Sequence, residues 1–351
     1  MHRTGEVLIE NKVTIIIPTY NRHRQLERIL DYYSGYKFQI LVADSTNSAF
    51  PKAAKYKRVK YFHYPKVGYS DKLPLIYQKV KTDYVLFCAD DDFVVPEGIK
   101  KCVKFLEKNS DYTSAHGHYV FFEPKVDKRI KVYPFYLYAT NIDIYGYTPS
   151  ERVKQVLSPY MQLLYAVTRT KDIKEVFKIL KNNSKIKNDN LVEMLQTIVL
   201  CINGKSKTLP VFYCARENTP NSARTFTDDL DIIATDKKYT KEYSIWIEAI
   251  AEQLSKKGLL KHAEAEIQVK EAIDAYLQGL LIKLPFFNIH ILQTQRILNM
   301  ISFGLAKKIY NAILPSDNQL NLKKHAFRKS QGKQEFKKIE SYIKKYVLVT
   351  N

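Results

Sequence analysis

The sequence predicts an α/β fold with a mostly parallel central sheet, flanking helices and a basic, mainly helical C-terminal region. Three observations support this prediction. Strand-like apolar runs alternate with segments of helical periodicity over residues 13–95, which is typical of a doubly wound parallel sheet. Two of those runs end in aspartate, as expected where an open sheet binds ligands. From about residue 240 onward the apolar residues recur at helical spacing.

The predicted elements follow one another at short intervals. Residues 13–18 (VTIIIP) form the near-continuous apolar run of a strand buried on both faces, and Pro18 ends it. Residues 24–33 have helical periodicity and are followed by Ser34-Gly35, a helix stop. Further strands are predicted at residues 38–45, 59–64 and 114–122, and further helices at residues 70–81 and 98–108.

An apolar run at residues 84–89 ends in three consecutive carboxylates, Asp90, Asp91 and Asp92. Three adjacent charges cannot lie inside a buried strand, so they are expected just past its carboxyl end. Their mutual repulsion calls for compensation, and clustered carboxylate oxygens favour Mg²⁺ or Mn²⁺ shared with a phosphate. The alternative is a solvated acidic turn, since Pro96 and Glu97 begin a helix soon after.

Composition narrows the class of partner. The net charge of +20 favours polyanions: nucleic acid, an anionic membrane face or phosphorylated ligands. The four cysteines have no CxxC spacing, which predicts reduced, buried thiols. The first residues lack the apolar core of a signal peptide, and no apolar run is long enough to span a bilayer. Without GxGxxG or GxxxxGK[ST], neither a dinucleotide fingerprint nor a P-loop is predicted.

Three motifs together resemble the family 2 glycosyltransferases of GT-A fold. They are IPTYNR at residues 17–22, VADS at residues 42–45 and FCADDDF at residues 87–93. The resemblance is close over about residues 12–125 and weaker to about residue 220. It implies a GT-A fold, a nucleotide-diphosphate sugar donor with UDP as the default nucleotide, and a divalent cation.

The resemblance also implies a donor site. Asp44 would accept a hydrogen bond from the base, and Asp90 would face the ribose or base side. Asp92, with Asp90, would hold Mn²⁺ or Mg²⁺, which would stabilise the departing diphosphate. Lys72 is the nearest equivalent of an arginine that family members often carry. The implied donor-binding set is Pro18, Thr19, Tyr20, Arg22, Asp44, Lys72, Asp90 and Asp91.

An inverting transferase needs a general base beside the acceptor hydroxyl. In the family this base is a carboxylate at the start of a helix that precedes a glycine, and the matching segment is residues 188–205. Glu193 has the better spacing to Gly204 and is preferred. Asp189 has the better position for a helix start and is the alternative. A structural role remains the competing interpretation for both.

Four further residues are expected to contact donor or acceptor: His116 and His118 from their place on one strand, and Arg169 and Arg216 as the resemblance to a subset of the family implies. The two histidines share one face of a predicted strand, where a metal pair is the less favoured alternative. The tyrosine-rich residues 133–147 either dock a sugar or pack as a loop.

The chain is expected to divide into a transferase domain, residues 1–235, and a helical region, residues 236–351. An apolar stripe at residues 297–313 precedes a lysine-rich segment at residues 323–345. Helical packing or homo-oligomerisation is the first interpretation, and docking to an anionic membrane is the second. The expected location is cytoplasmic, peripheral at the inner face of the cell membrane.

The sequence therefore predicts a metal-dependent inverting glycosyltransferase. It would transfer a sugar to a hydroxyl of a glycan or lipid-linked acceptor, in surface polysaccharide synthesis. One alternative is a GT-A-fold protein without transferase activity. Another is a basic polyanion-binding or nucleic-acid-binding protein, against which stands the lack of any RRM, KH or zinc-finger signature.

Overall fold

The computed structural model describes residues 9–125, 129–134, 143–158, 160–218, 228–279, 281–284, 287–290 and 325–347. The apolar stripe at residues 297–313 lies outside the described residues, as do Lys323, Lys324 and most of the tyrosine-rich segment.

A nine-stranded sheet forms the centre of the described part of the chain. Its strands lie in the order β3-β2-β1-β4-β8-β6-β9-β5, with β7 paired to β6. They are β1 (Val13–Thr19), β2 (Gln39–Asp44), β3 (Val59–His63), β4 (Tyr84–Phe87), β5 (Phe93–Val94), β6 (Tyr112–Pro124), β7 (Ile130–Pro134), β8 (Val167–Arg169) and β9 (Lys205–Glu217).

Helices cover the sheet. From residue 23 onward, the α-helices of the described segments are, in chain order, α1 (His23–Tyr33), α2 (Tyr69–Tyr77), α3 (Pro96–Lys108), α4 (Pro149–Leu157), α5 (Thr170–Asn182), α6 (Asp189–Asn203), α7 (Leu230–Thr235), α8 (Thr240–Gly258), α9 (His262–Gly279) and α10 (Ser330–Val347).

The first four strands confirm the predicted parallel arrangement. β1 pairs in parallel with β2 and β4, and β2 pairs in parallel with β3. This register sets Thr19 beside Asp44 and Ile16 beside Phe87, so the carboxyl ends of β1, β2 and β4 meet at one edge. Beyond β4 the sheet is mixed, because β8 runs antiparallel to both β4 and β6.

The core forms where sequence periodicity places apolar side chains. All seven residues of β1 are buried, as expected for a strand covered on both faces. Helix α2 ends at Tyr77, earlier than the predicted residue 81. Two tight turns follow the helix. In the first, the N–H of Lys79 donates to the carbonyl of Ile76, and in the second, the N–H of Val80 donates to the carbonyl of Tyr77. Val80 is buried before β4 begins.

The described parts of residues 236–351 pack on the rest of the chain. Trp246 of α8 is fully buried and donates a hydrogen bond to the carbonyl of Leu191 at 2.8 Å. Helix α10 buries Phe336, Ile339 and Ile343, and its Tyr342 packs edge-on against Tyr32 of α1. The apolar face of α10 therefore belongs to the core, and the two-domain division stays a prediction.

One C-terminal segment departs from the helical expectation. Strands β10 (Leu281–Leu284) and β11 (Phe287–His290) pair antiparallel. No helix within the described ranges is long and apolar enough to cross a membrane.

Candidate active site

The carboxyl ends of β1, β2 and β4 bring the predicted donor-binding residues together. Thr19, the last residue of β1, donates a hydrogen bond from its hydroxyl to Oδ2 of Asp90 at 2.6 Å. Lys72 on α2 donates from Nζ to the carbonyl of Thr19 at 3.1 Å. Asp44 ends β2 directly beside Thr19. Three separate sequence motifs thus form one polar crevice.

Arg22 reaches the aspartate triplet from the start of α1. Its Nη1 lies 2.5 Å from Oδ2 of Asp91 and 3.5 Å from Oδ1 of Asp90. Asn21, just before it, has a left-handed φ of 55°, and its N–H donates to Oγ1 of Thr46 at 2.8 Å. This turn tolerates asparagine well and aims the guanidinium at the triplet. Tyr20 remains 60% exposed beside it.

All three aspartates are buried, and their electrostatics reflect crowding. Burial and the neighbouring charge of Asp91 raise the pKa of both Asp90 and Asp92. Arg22 opposes the shift at Asp90, and Arg216 opposes it at Asp92. Negative charge is therefore only partly compensated, which is the setting in which a bound cation is favourable.

Asp92 is held by three protein donors. The Tyr165 hydroxyl and Nε of Arg216 donate to Oδ2, at 2.5 and 3.3 Å. The backbone N–H of Glu217 donates to Oδ1 at 2.8 Å. Arg216 also lies over the Tyr165 ring, 4.8 Å from its centre. Arg216 thus lies beside the triplet, and the substrate contact predicted for it stays a prediction. Nothing in the sequence around Tyr165 indicated its role.

A buried arginine supports the triplet from below. Nη2 of Arg28 donates to the carbonyl of Asp91 at 2.8 Å and to Oε2 of Glu217 at 2.5 Å. The Arg28 side chain also lies over the ring of Phe93. Sequence reasoning missed Arg28, and the one available signal was a basic residue beside the apolar stripe of α1.

Asp44 is fully enclosed. Its Oδ1 accepts from the N–H of Thr46 at 2.8 Å, and its Oδ2 lies 2.6 Å from the Tyr61 hydroxyl and 2.7 Å from Nε2 of His23. Burial works to raise the pKa of Asp44, but hydrogen bonds from Thr46 and Tyr61 outweigh it and hold the pKa below its usual value. Asp44 is therefore an ionised acceptor in this structure.

Lys72 is the buried cation of the crevice. Burial lowers the pKa of Lys72 to about 8, although the charges of Asp44 and Asp90 oppose the shift. The charge of the base candidate Asp189 also favours the protonated form of Lys72. The ammonium of Lys72 therefore interacts electrostatically with three carboxylates, those of Asp44, Asp90 and Asp189.

Both candidate bases border the crevice on α6. Asn188 caps this helix by accepting from the N–H groups of Asn190 and Leu191, so Asp189 is not the cap. Burial raises the pKa of Asp189 to about 6, against the influence of Lys72. One turn later, an oxygen of Glu193 lies 3.5 Å from the Tyr160 hydroxyl.

The two carboxylates also share neighbours. Burial, followed by the charge of Glu193 and then that of Asp189 among smaller influences, raises the pKa of Tyr69. Glu193 further contributes to the raised pKa of Arg216, which burial alone would lower. Glu193 is thus electrostatically linked to the arginine that holds Asp92.

Three predicted contact residues have other neighbours. Arg169 donates to the carbonyls of Leu106, Asn109 and Tyr112, near Tyr84 at the amino end of β4. The ring of His116 lies near Thr208 and Gly117. Nδ1 of His118 accepts from the N–H of Ala326. Substrate contacts by these three residues stay predictions.

The donor set of the triplet suits a divalent cation that is also bound by phosphate. Oδ2 of Asp90 accepts from Thr19 and its Oδ1 faces Arg22 at 3.5 Å, whereas both oxygens of Asp92 accept from protein donors within 2.8 Å. A cation held by the triplet would complete its shell with phosphate oxygens and water, as Mg²⁺ usually does.

A second group of potential metal ligands lies elsewhere. Within the described residues, the ligand atoms of Glu248, His262 and Glu266, on α8 and α9, converge.

The comparisons with known proteins identify the N-terminal part of the chain. Residues 14–177 match the family model described as glycosyl transferase family 2. This span runs from β1 into α5 and contains the aspartate triplet and Arg22. Residues 14–177 are thus similar to the glycosyltransferases of family 2. The resemblance inferred from three motifs is thereby confirmed.

Two curated relatives of the family 2 domain come from Rickettsia. An uncharacterised glycosyltransferase of Rickettsia conorii is 32% identical over 122 residues, and one of Rickettsia bellii is 26% identical over 122 residues. Each alignment covers 32% of this chain, and 20% and 18% of the two relatives. The chain thus spans about one fifth of the length of the curated relatives it matches.

Two crystal structures of S. aureus TarS are among the solved structures to which this chain is similar. The crystal structure of TarS 1-349 in complex with UDP-GlcNAc has a TM-score of 0.49 and 16% identity, covering 76% of this chain and 73% of that chain. Another TarS crystal structure has a TM-score of 0.47 and 16% identity, covering 78% of this chain and 46% of that one.

Proposed function

We propose that this protein is an inverting glycosyltransferase that uses a nucleotide-diphosphate sugar as donor. The observation that carries the proposal is the aspartate triplet at the meeting point of β1, β2 and β4, faced by Arg22 and Lys72. Carboxylates and cations that converge at such an edge suit a nucleotide diphosphate. The match of residues 14–177 to the family model of glycosyl transferase family 2 supports the same reaction class.

The donor would lie across the crevice. Arg22 and Lys72 would attract the diphosphate, and Tyr20, which is largely exposed, would flank the nucleoside. UDP is the default nucleotide, as the family resemblance implies. Asp90 and Asp91 would hold a Mn²⁺ or Mg²⁺ ion, which would supply Lewis-acid stabilisation of the negative charge on the departing diphosphate.

The role of Asp92 follows from its hydrogen bonds. As a metal ligand, the role predicted for it from the sequence, Asp92 would have to exchange one of its protein donors for the cation. We assign it instead to fixing the triplet, because it joins Tyr165 and Arg216 to the loop after β4.

The chemistry of transfer is a single displacement. An acceptor hydroxyl oxygen attacks the anomeric carbon, the bond from that carbon to the diphosphate oxygen breaks, and its electron pair leaves with the diphosphate. Glu193 accepts the hydroxyl proton in our proposal, with Asp189 as the competing residue. A general base of this kind contributes about 10²–10⁴-fold to rate.

The acceptor is proposed to be a glycan or a lipid-linked sugar of a surface polysaccharide. Membrane association at the cytoplasmic face would depend on charge, because the apolar face of α10 is already packed in the core. The lysines available for it are exposed along α10: Lys333, Lys337, Lys338, Lys344 and Lys345.

The proposal is tested by nucleoside diphosphate release. Purified protein is incubated with Mn²⁺ and separate UDP-, GDP-, dTDP- and CDP-sugars, and the released diphosphate is quantified. We expect release from one donor class and at least a ~100-fold loss in Asp90→Asn. Asp111→Asn, which alters an exposed aspartate paired with Lys205, is the matched control. No release from any donor, or equal release by Asp90→Asn, would overturn the proposal.

A further inference from the structure

An open groove lies between the start of α4 and the turn that joins α8 to α9. It encloses about 730 Å³, which is within the usual range of small-molecule sites, about 300–1,000 Å³. Tyr147 at its rim lies beside Lys205, the first residue of β9. The aspartate triplet lies at the other end of this 13-residue strand, where Glu217 donates to Asp92. Roughly 40 Å of strand therefore separates the groove from the crevice.

The rim of the groove presents Tyr147 almost entirely to solvent, with 90% of its surface exposed. Its loop is nevertheless held firmly by α4. Oε1 of Gln155 accepts from the N–H groups of Tyr145 and Gly146, at 3.0 and 2.9 Å. Nη1 of Arg152 donates to the carbonyls of Gly146 and Tyr147, at 2.9 and 3.0 Å. Because the fixed ring is not buried, it contributes little to stability and suits binding.

The opposite wall is formed by the turn between α8 and α9 and by α9 itself. Leu259 is 93% exposed and has a left-handed φ of 53°, a conformation that leucine rarely adopts. On α9, Nε2 of Gln268 donates to Glu264 at 3.2 Å, whereas its Oε1 is buried without a hydrogen-bond partner among the described residues. Because Gln268 borders the groove, a small rotation of its amide would let a ligand hydroxyl supply the missing donor.

The charge of the groove differs from that of the whole chain. The chain has a net charge of +20, whereas the groove is lined by two lysines and two glutamates: Lys154, Lys257, Glu264 and Glu271. This balance suits a neutral ligand better than a polyanion. The hydroxyl groups of Thr148 and Ser150 also border the groove. An aromatic ring beside such polar groups suits a sugar, whose C–H face packs on the ring while its hydroxyls form hydrogen bonds.

We propose that this groove binds a neutral oligosaccharide, with Tyr147 as the ring on which one sugar packs. This inference rests on the proposed function, because the oligosaccharide is part of the glycan acceptor, held far from the reacting end. Binding at two separate points retains a long acceptor through effective concentration and leaves the chemistry in the crevice unchanged. The proposal assigns to Tyr147 the sugar docking that is one interpretation of the tyrosine-rich residues 133–147.

The test is a ligand-observed NMR titration of the full chain with maltohexaose, cellohexaose and chitohexaose, without nucleotide or Mn²⁺. We expect at least one of these neutral hexasaccharides to bind. Tyr147→Ala should weaken that binding about tenfold, the value of one good aromatic contact. Tyr145→Ala is the matched control, because Tyr145 is exposed on the same loop but does not line the groove. It should bind as the wild type does.

A second variant separates binding from folding. Gln268→Leu removes the unpaired buried oxygen, so it should be at least as stable as the wild type. It should nevertheless bind the hexasaccharide about fivefold more weakly, through the loss of one hydrogen bond. Release of nucleoside diphosphate from the donor should stay unchanged in Tyr147→Ala, because the crevice lies at the other end of β9.

The outcomes separate the two proposals. Binding of none of the three hexasaccharides, or equal binding by Tyr147→Ala and the wild type, would overturn the role of the groove and leave the donor site standing. Self-association of the wild type that Leu259→Ser abolishes would assign the groove to a contact between copies and would also overturn it. Tyr147-dependent hexasaccharide binding without diphosphate release from any donor would overturn the proposed function and leave the groove as a sugar site.

Discussion

Arg28 and Glu217 form a largely buried ion pair beneath the aspartate triplet, with 2.5 Å between Nη2 and Oε2. The two residues lie 189 positions apart in the chain. Since the same Arg28 nitrogen donates to the carbonyl of Asp91, the pair joins α1, the loop after β4 and the end of β9. The candidate site therefore depends on a contact between segments that are distant in the sequence.

Breaking this pair should be costly. Arg28→Leu should lower the free energy of unfolding by about 3–5 kcal/mol, because it leaves the Glu217 carboxylate buried without its partner. Chemical denaturation measures the change. Lys52→Ala, which removes an exposed pair with Glu27, is the control and should stay within about 1 kcal/mol. A change of similar size in both variants would contradict the structural role of Arg28.

Asp92 should matter to stability as well as to binding. Asp92→Ala leaves the Tyr165 hydroxyl, the Arg216 guanidinium and the N–H of Glu217 without their acceptor. We expect a loss of about 2–3 kcal/mol in the free energy of unfolding, typical of buried donors left unsatisfied.

Asp91→Asn is the comparison for Asp92→Ala. Oδ2 of Asp91 contacts Arg22, whose guanidinium is partly exposed to solvent, so this variant should unfold within about 1 kcal/mol of the wild type while losing Mn²⁺-dependent nucleotide binding. Full stability of Asp92→Ala combined with loss of cation binding would instead make Asp92 the metal ligand.

Two isosteric variants on α6 distinguish Glu193 from Asp189 as the general base. Glu193→Gln should keep donor binding and lower transfer by about 10²–10⁴-fold, whereas Asp189→Asn should retain most activity. Both variants remove one negative charge from α6, so each controls for the other. The reverse order of activities would move the base to Asp189, and its pKa of about 6 would then set the acid limb of the pH–rate profile.

Acid should weaken the attachment of the C-terminal helix. Nδ1 of His118 accepts from the N–H of Ala326, just before α10, and this requires the neutral ring. Burial lowers the pKa of His118 to about 3, with the nearby charges of His325, His116 and Lys329 acting in the same direction. Burial also lowers the pKa of His325 to about 4.

The direction of this effect follows from proton uptake. The unfolded chain protonates His118 near pH 6.5, and the folded chain does so only near pH 3. The stability is therefore present above pH 6.5 and declines as the pH falls toward 3. Between pH 6.5 and 5 His118 should account for a loss of about 1–2 kcal/mol in unfolding free energy, so the loss in His118→Asn should be smaller than in the wild type by that amount. Identical pH slopes in the two proteins would contradict it.

Gly117 marks a close approach between β6 and β9. A Cβ there would lie 2.5 Å from the carbonyl oxygen of Val211. Gly117→Ala should therefore destabilise the protein by about 1–3 kcal/mol through overpacking. Gly35→Ala meets no atom within 4 Å and is the matched control. Equal melting temperatures for the two variants would contradict this prediction, because β6 and β9 would then accommodate the added methyl group without a loss of stability.

The sequence was informative where structure depends on neighbouring residues. Apolar runs located β1, β2 and β4, and the aspartates after two of them located the crevice, because parallel strands bring their carboxyl ends to one edge. Helix α1 began and ended within a residue of its predicted bounds. These features follow from local periodicity and from the rules of parallel sheets.

Long-range contacts could not be predicted in the same way. No pattern of neighbouring residues relates Arg28 to Glu217, Tyr165 to Asp92, or His118 to Ala326. The two residues of each pair are far apart in the sequence and meet only in the folded chain. The environment of Asp44 is a further example. Its position at the end of β2 was predictable, but two of the three partners that enclose it, His23 and Tyr61, come from other segments.

The most direct test of the central claim is thermal unfolding of the wild type and Asp90→Asn with nucleoside diphosphates, each with and without Mn²⁺. A ligand that binds only the folded state raises the melting temperature by mass action. The donor-site account predicts a Mn²⁺-dependent rise with at least one nucleotide in the wild type and its loss in Asp90→Asn. No rise with UDP, GDP, dTDP or CDP, or an equal rise in the variant, would contradict it.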